Sequence, residues 1–151
     1  MENVKPIQIY TDGACRGNPG CGGWGCILND NGEEKEIRGF QAQTTNNRME
    51  LTAVIEALKS TPDGSVIIIY TDSKYVMDGI NQWNIKWKKN GWMTAAKKIV
   101  KNKDLWLLLD QLICTRQLSW VWVKGHAGNH GNERADYLAN LAIDENIKIN
   151  N

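Results

Sequence analysis

The tetrapeptide Ile-Tyr-Thr-Asp occurs twice in this 151-residue chain, at Ile9 to Asp12 and at Ile69 to Asp72. Each copy closes an apolar run and is followed by a small turn residue, Gly13 or Ser73. If the two runs are neighbouring parallel strands, Asp12 and Asp72 stand side by side at their C-terminal ends, where open α/β sheets bind ligands. The competing reading makes each a turn-forming or helix-capping residue. Glu50 adds a third acid. At about 100° per residue it points with Val54 and Ala57 into the apolar arc of a helix, while Glu56 falls with Thr52, Lys59 and Ser60 in the polar arc. A buried carboxylate is costly unless paired or bound to metal. Its rival role is the far end of a capping box, Asn47-x-x-Glu50. Asp136 lies at the margin of a second apolar stripe made by Ala135, Leu138, Ala139, Ala142 and Ile143, with Glu133 and Asp144 turned away. Clustered carboxylates repel one another unless a cation holds them, and oxygen ligands with open positions suit Mg²⁺ or Mn²⁺. Two such ions can bind both the attacking and the leaving oxygen of an in-line phosphoryl displacement.

His126 and His130 are the two histidines, four apart in the loop KGHAGNHGNER. Glycine and asparagine between them disfavour a helix and no thiolate is nearby, which argues against a structural metal pair. An imidazole just upstream of Asp136 instead suits proton transfer, a role that falls to His126. His130 reads as exposed.

The net charge of +1 conceals an asymmetry. Residues 81–103 hold Lys86, Lys88, Lys89, Lys97, Lys98, Lys101 and Lys103 with no Asp or Glu, so this stretch is +7 and the remainder 11 − 17 = −6. Trp83, Trp87 and Trp92 are interleaved with these lysines. Basic residues among flat rings suit a nucleic-acid surface; a solvated lysine face over inward-packed tryptophans fits equally well.

The elements that must position these groups follow from pattern. Residues 6–12 alternate as a strand, a glycine-rich stretch (GACRGNPGCGGWG) reads as a turn into a second strand (GWGCILN), and Asn31-Gly32 is a hairpin signal before a third (EEKEIRGFQAQ). A helix is expected over 44–60, ended by Pro62 and Gly64. Residues 66–70 (VIIIY) read as a central parallel strand covered on both faces. Further helices are expected at 73–81, 82–89 and 102–114, a fifth strand at 118–124 and a last helix at 132–146. The order β-β-β-α-β-α-β-α predicts an α/β domain with a mixed sheet. No repeat or linker interrupts it, so residues 1–151 read as one domain. With 42% apolar and 23% charged residues, the composition excludes a disordered chain. The absence of an 18-residue apolar run or a signal-like start leads to the expectation of a cytoplasmic protein without membrane contact. Cys15, Cys21, Cys26 and Cys114 have no C-x-x-C spacing and are expected as reduced thiols.

Taken in series, YTDGACRGNPG, TTNNRMEL, YTDSKYV, QWNIKWKKNGW with VKNKDLW, and WVWVKGHAGNHGNERAD resemble ribonuclease H of the bacterial type, ribonuclease HI, over nearly the whole chain. The resemblance implies a ribonuclease H-like fold: a five-stranded mixed sheet, three antiparallel strands plus two parallel, flanked by helices. Its basic helical protrusion would be inserted at about 81–103 between strands 4 and 5. It implies an endonuclease that hydrolyses the RNA strand of RNA/DNA hybrids by two-metal-ion catalysis, leaving 5′-phosphate and 3′-hydroxyl ends, with roles in removing RNA primers and R-loops. Asp12, Glu50, Asp72 and Asp136 would hold two Mg²⁺ ions, with Mn²⁺ as a substitute, and His126 would be the catalytic loop histidine. Cys15, Asn18 and Asn46 match positions that contact RNA 2′-hydroxyls. Thr45 and Asn102 match the pocket for a DNA phosphate, and Trp83 and Trp87 the DNA-strand channel. Asn47 and the lysines Lys86, Lys88 and Lys89 complete the expected substrate contacts together with Gln43, which stands where relatives often have Arg. Lys74 and Ile99 also depart from common residues, Gln and Pro. A monomer with no obligate protein partner is expected. A non-catalytic hybrid-binding module and an integrase-like or junction-cutting nuclease on the same fold are the alternatives; metal-dependent cleavage excludes the first and a duplex-DNA control the second.

Overall fold

The computed structural model describes residues 5–124 and 129–149. Strand β1 (Ile7–Arg16) pairs antiparallel with β2 (Gly20–Asp30), which pairs antiparallel with β3 (Glu33–Thr44). Asn31 and Gly32 join β2 to β3 with φ of 55° and 91°, the two positive values that a type I′ hairpin turn requires. Strands β4 (Val66–Thr71) and β5 (Gln117–Trp122) then add in parallel beside β1, giving the order β3-β2-β1-β4-β5. The sheet is therefore the mixed five-stranded one expected.

Helix α1 (Asn46–Lys59) crosses from β3 to β4 and buries Met49, Leu51, Val54 and Leu58 against Ile9, Ile67 and Ile69 of the sheet. Next come α2 (Lys74–Asp78), a π-helical turn (Gly79–Trp83) and α3 (Asn84–Lys89), which form one continuous path where two separate helices were expected. The wide turn lies where Gly79 meets Trp106 so closely that a Cβ there would overlap the indole. Helix α4 (Lys103–Cys114) leads into β5, and α5 (His130–Ile149) lies across β1, β2 and β3. The stripe Ala135, Leu138, Ala139, Ala142 and Ile143 is buried as anticipated. The side chains that would grow from Gly22 and Gly23 run into α1 and α5 respectively, so the two helices cover opposite faces of the sheet.

Three local expectations are corrected. The glycine-rich stretch is mostly strand, since β1 continues to Arg16 and β2 begins at Gly20. Its glycines serve close packing: a Cβ on Gly25 would sit 2.6 Å from the Ala135 carbonyl oxygen, so α5 can approach this ladder only because the side chains are missing. Second, β4 is fully covered on one face only. Ile67, Ile69 and Thr71 are buried, while Val66, Ile68 and Tyr70 are half-buried where α5, lying over β1 to β3, leaves them. Third, the last strand ends at Trp122, two residues early, and the last helix runs from His130 to Ile149, longer than 132–146.

Arg16–Asp144 (2.6 Å), Arg38–Glu145 (2.6 Å) and Arg134–Glu36 (2.5 Å) clasp α5 to β1 and β3. These pairs are half-exposed, and such pairs contribute about 0–1 kcal/mol each; burial of the alanine-rich stripe holds the helix. The four cysteines are free thiols, and burial pushes the Cys26 thiol up to about 12.

Candidate active site

The duplicated tetrapeptides pair residue by residue. In the parallel ladder Ile9 faces Ile69 and Tyr10 faces Tyr70, whose rings stack at 4.5 Å. Pairing between β1 and β4 ends there, so the two strands part over the residues that lead to Asp12 and Asp72. Alternation along β1 places Asp12 on the Tyr10 side, which α5 covers, whereas Glu50 comes from α1 on the other side. The gap between the strands lets acids from both faces of the sheet meet. Carboxylate oxygens of Asp12, Glu50 and Asp72 lie within 4.8 Å of one another. Asp136, half-buried on α5, lines the same cavity of about 430 Å³ together with Asn46, Asn47 and Lys74.

Local chemistry fixes this cluster. Gly13 N–H donates to Asp12 Oδ1 (3.0 Å) and to Glu50 Oε1 (3.1 Å), and a Cβ at Gly13 would lie 2.5 Å from the Glu50 nitrogen. The competing structural roles do not describe these acids. Thr45 is the N-cap of α1, its Oγ1 accepting from Arg48 N–H (3.3 Å), so the Asn47–Glu50 capping box is not formed. Ser73, not Asp72, caps α2 by accepting from Val76 N–H (3.2 Å).

Asp12 and Glu50 are 3% and 6% exposed, which decides the electrostatics. Burial, then the adjacent Asp12 and Asp72 charges, pushes the Glu50 carboxyl well above the usual carboxylate range, with the Gly13 N–H pulling the other way. Among the described residues Glu50 Oε2 is buried without a hydrogen-bond donor. A set of three carboxylates with hard oxygen donors and an unsatisfied buried oxygen fits Mg²⁺ or Mn²⁺.

The expected substrate contacts surround this centre. Asn18 Oδ1 accepts from Asn46 N–H (3.2 Å) and ties the β1–β2 turn to the start of α1. Cys15 Sγ donates to the Gly17 carbonyl (2.8 Å), and Gln43 is exposed at the end of β3. Asn102, at φ 62°, stands at the N-cap position of α4 without a side-chain capping bond; its amide accepts from Arg48 Nη1 (3.2 Å) and donates to the Tyr75 hydroxyl (3.0 Å). Farther out, Trp83, Trp87 and Trp92 are half-buried in a chain of rings with Tyr75 and Trp106, at centroid spacings of 5.4–6.0 Å. Lys86 and Lys89 are exposed, whereas Lys88 pairs with Asp110 at 2.6 Å. The rings thus pack inward and the lysines face outward. His126 lies outside the described residues. Sequence reasoning missed Gly13 as the donor shared by two carboxylates, and Arg48 and Tyr75 as the partners that orient Asn102. Only the small residue after the first Ile-Tyr-Thr-Asp hinted at any of them.

The fold and the site together define a mixed-sheet α/β domain with a carboxylate cluster able to hold a divalent cation, and comparison with known proteins narrows it. The RNase H family profile matches residues 4–144. The chain is 62% identical over 139 residues to Ribonuclease H of Francisella philomiragia subsp. philomiragia, covering 92% of this chain and 91% of that one. Ribonuclease H of Francisella tularensis subsp. novicida is also 62% identical, over 93% of each chain. Among solved structures, LC9-RNase H1, described as a type 1 RNase H with the type 2 active-site motif, superposes with a TM-score of 0.79 at 31% identity, over 93% of this chain and 74% of that one. LC11-RNase H1 in complex with RNA/DNA hybrid superposes with a TM-score of 0.68 at 27% identity, over 93% and 99%. The chain belongs to the ribonuclease H family and is a nuclease of that family.

Proposed function

We propose that this protein is an endonuclease that hydrolyses the RNA strand of RNA/DNA hybrids. The observation that carries the reading is the meeting of Asp12, Glu50 and Asp72 within 4.8 Å at the parting of two parallel strands. The solved hybrid complex of a 27% identical relative supports the substrate class. Asp12, Glu50, Asp72 and Asp136 would together hold two divalent ions. Two Mg²⁺ ions, or Mn²⁺ in their place, supply activation of water and neutralisation of the departing oxygen.

The chain's own residues do the rest. Gly13 N–H holds two of the acids in place, so their orientation is set before substrate arrives. Water oxygen attacks phosphorus, the bond to the 3′-oxygen breaks and that oxygen takes up a proton, leaving 5′-phosphate and 3′-hydroxyl ends. His126 would move that proton or assist product release. Cys15, Asn18 and Asn46 would meet RNA 2′-hydroxyls, which distinguish RNA from DNA, with Asn47 a further substrate contact. Thr45, Asn102 and Gln43 would hold a DNA phosphate, and Trp83, Trp87, Lys86, Lys88 and Lys89 the DNA strand. The whole chain would act as one domain and a cytoplasmic monomer, clearing RNA primers and R-loops.

The test is cleavage of one RNA strand presented alone, paired to RNA and paired to DNA, each with Mg²⁺ or EDTA, beside duplex DNA. Metal-dependent cutting confined to the hybrid is expected. Binding without cutting in Mg²⁺ and Mn²⁺ overturns the reading in favour of a non-catalytic module.

A further inference from the structure

Asn132 is fully buried on α5, 0% exposed, and plays no part in the assignment above. A buried amide must place its hydrogen-bonding groups or carry a cost. Its backbone N–H donates to Asn129 Oδ1 (3.0 Å), which caps the helix start. Its side-chain Nδ2 donates to the backbone carbonyl of Tyr70 at 3.2 Å. Val123 N–H donates to the Thr71 carbonyl (2.9 Å) on the β5 side, so by alternation the Tyr70 carbonyl faces β1. That is the place where the β1–β4 ladder stops, at the Tyr10–Tyr70 pair. Asn132 therefore adds, from α5, a side-chain donor to the carbonyl at the last rung of that ladder.

The consequence lies two residues on. Tyr70 precedes Asp72 by two residues, and Asn132 precedes Asp136 by four, one helical turn along α5. One side chain thus joins the strand end that carries one acid to the helix face that carries another. Asn132 Oδ1 is itself buried without a partner among the described residues, so the amide is not explained by its own hydrogen-bond satisfaction. We infer that Asn132 is a positioning residue that ties the end of β4 to α5 and so sets Asp72 and Asp136 at the spacing a divalent cation needs. The inference rests on the carboxylate assignment of the preceding section.

The test measures Mn²⁺ binding to the substrate-free protein by calorimetry and electron paramagnetic resonance, alongside thermal midpoint and the Mg²⁺ dependence of kcat. Four proteins are compared: wild type, Asn132→Ala, Asp12→Asn, and Ile143→Val, which loosens the buried stripe of the same helix away from the site. Asn132→Ala is expected to weaken Mn²⁺ binding at least fivefold and to move half-maximal Mg²⁺ upward to match, with KM for the hybrid unchanged. Ile143→Val is expected to lower the midpoint with metal binding as in wild type. If Asn132→Ala fails to fold, Asn132→Asp at pH 8 keeps the shape without the donor and carries the same expectation. Asn132 variants that bind Mn²⁺ like wild type, while Asp12→Asn does not, overturn the positioning role alone. Wild type binding no better than Asp12→Asn overturns the carboxylate assignment, and the inference with it.

Discussion

The carboxylate cleft and the lysine–tryptophan segment face opposite electrostatic problems. In the cleft, three acids converge within 4.8 Å, two of them nearly dry, and burial together with the neighbouring charges pushes the Glu50 carboxyl well above the usual carboxylate range. In the basic segment, lysines spread over solvent while their neighbouring tryptophans stack inward on Tyr75 and Trp106. Charge gathered in low dielectric is strong and costly, whereas charge spread in water is cheap and screened by salt. The first suits chemistry at one bond and the second suits gripping a polyanion.

If that division holds, single changes in the two regions give different signatures. Asp12→Asn should lower hybrid cleavage by about 10³-fold, the scale of losing one preorganised electrostatic group. Binding of the hybrid should survive and thermal stability should be unchanged or higher, because one repelling charge is gone. A variant cleaving at near-normal rate would remove Asp12 from the centre. Neutralising Lys86 and Lys89 should instead weaken hybrid binding about tenfold at low salt. It should flatten the slope of log K against log salt by about 0.7–0.9 per lost phosphate contact. Fluorescence titration at several salt concentrations reads both; an unchanged slope would break the comparison.

Glu50 sharpens the contrast through pH. Its carboxyl is raised in the fold, so its proton stabilises the native state below the ordinary carboxylate range, and that contribution is lost as pH rises through the raised value. Glu50→Gln removes the loss. In EDTA, its thermal midpoint should match wild type near pH 4 and exceed it increasingly toward pH 8, by about 2–4 °C for each kcal/mol of repulsion relieved. Calorimetric scans across that range should show the two curves diverging; parallel curves would mean that Glu50 is ionised and already compensated.

Much of this was legible in the sequence because it depends on period and repetition. The paired Ile-Tyr-Thr-Asp segments align in the ladder, Asn31-Gly32 makes the hairpin, and the helical phase of Glu50 among Val54 and Ala57 correctly announced a buried acid. What escaped depends on contacts between distant segments. Residues 13–25 read as a turn because glycine lowers strand propensity, yet here absent side chains admit α1 and α5 against the strands. The bare face of β4 could not be foreseen, since VIIIY is equally apolar whether or not a helix reaches it. Asn102 was placed through resemblance, but its grip by Arg48 and Tyr75 joins residues 54 and 27 positions apart and leaves no local pattern.

The smallest expected effect tests whether the lysines are equivalent. Lys86 and Lys89 are exposed, but Lys88 is engaged with Asp110 of α4 at 2.6 Å. An engaged lysine offers a phosphate less charge, and a surface pair is worth about 0–1 kcal/mol. Asp110→Asn should therefore release Lys88 and tighten hybrid binding by about two- to fivefold at low salt, the range that pair energy allows. The salt slope should steepen by up to about 0.7–0.9, one added contact. Cleavage at saturating hybrid should not change, because Asp110 does not line the cavity that holds the carboxylates. Tighter binding with an unaltered slope would mean that Asp110 acts by long-range repulsion of the substrate, and weaker binding would mean that the pair braces α3 rather than holding its lysine in reserve.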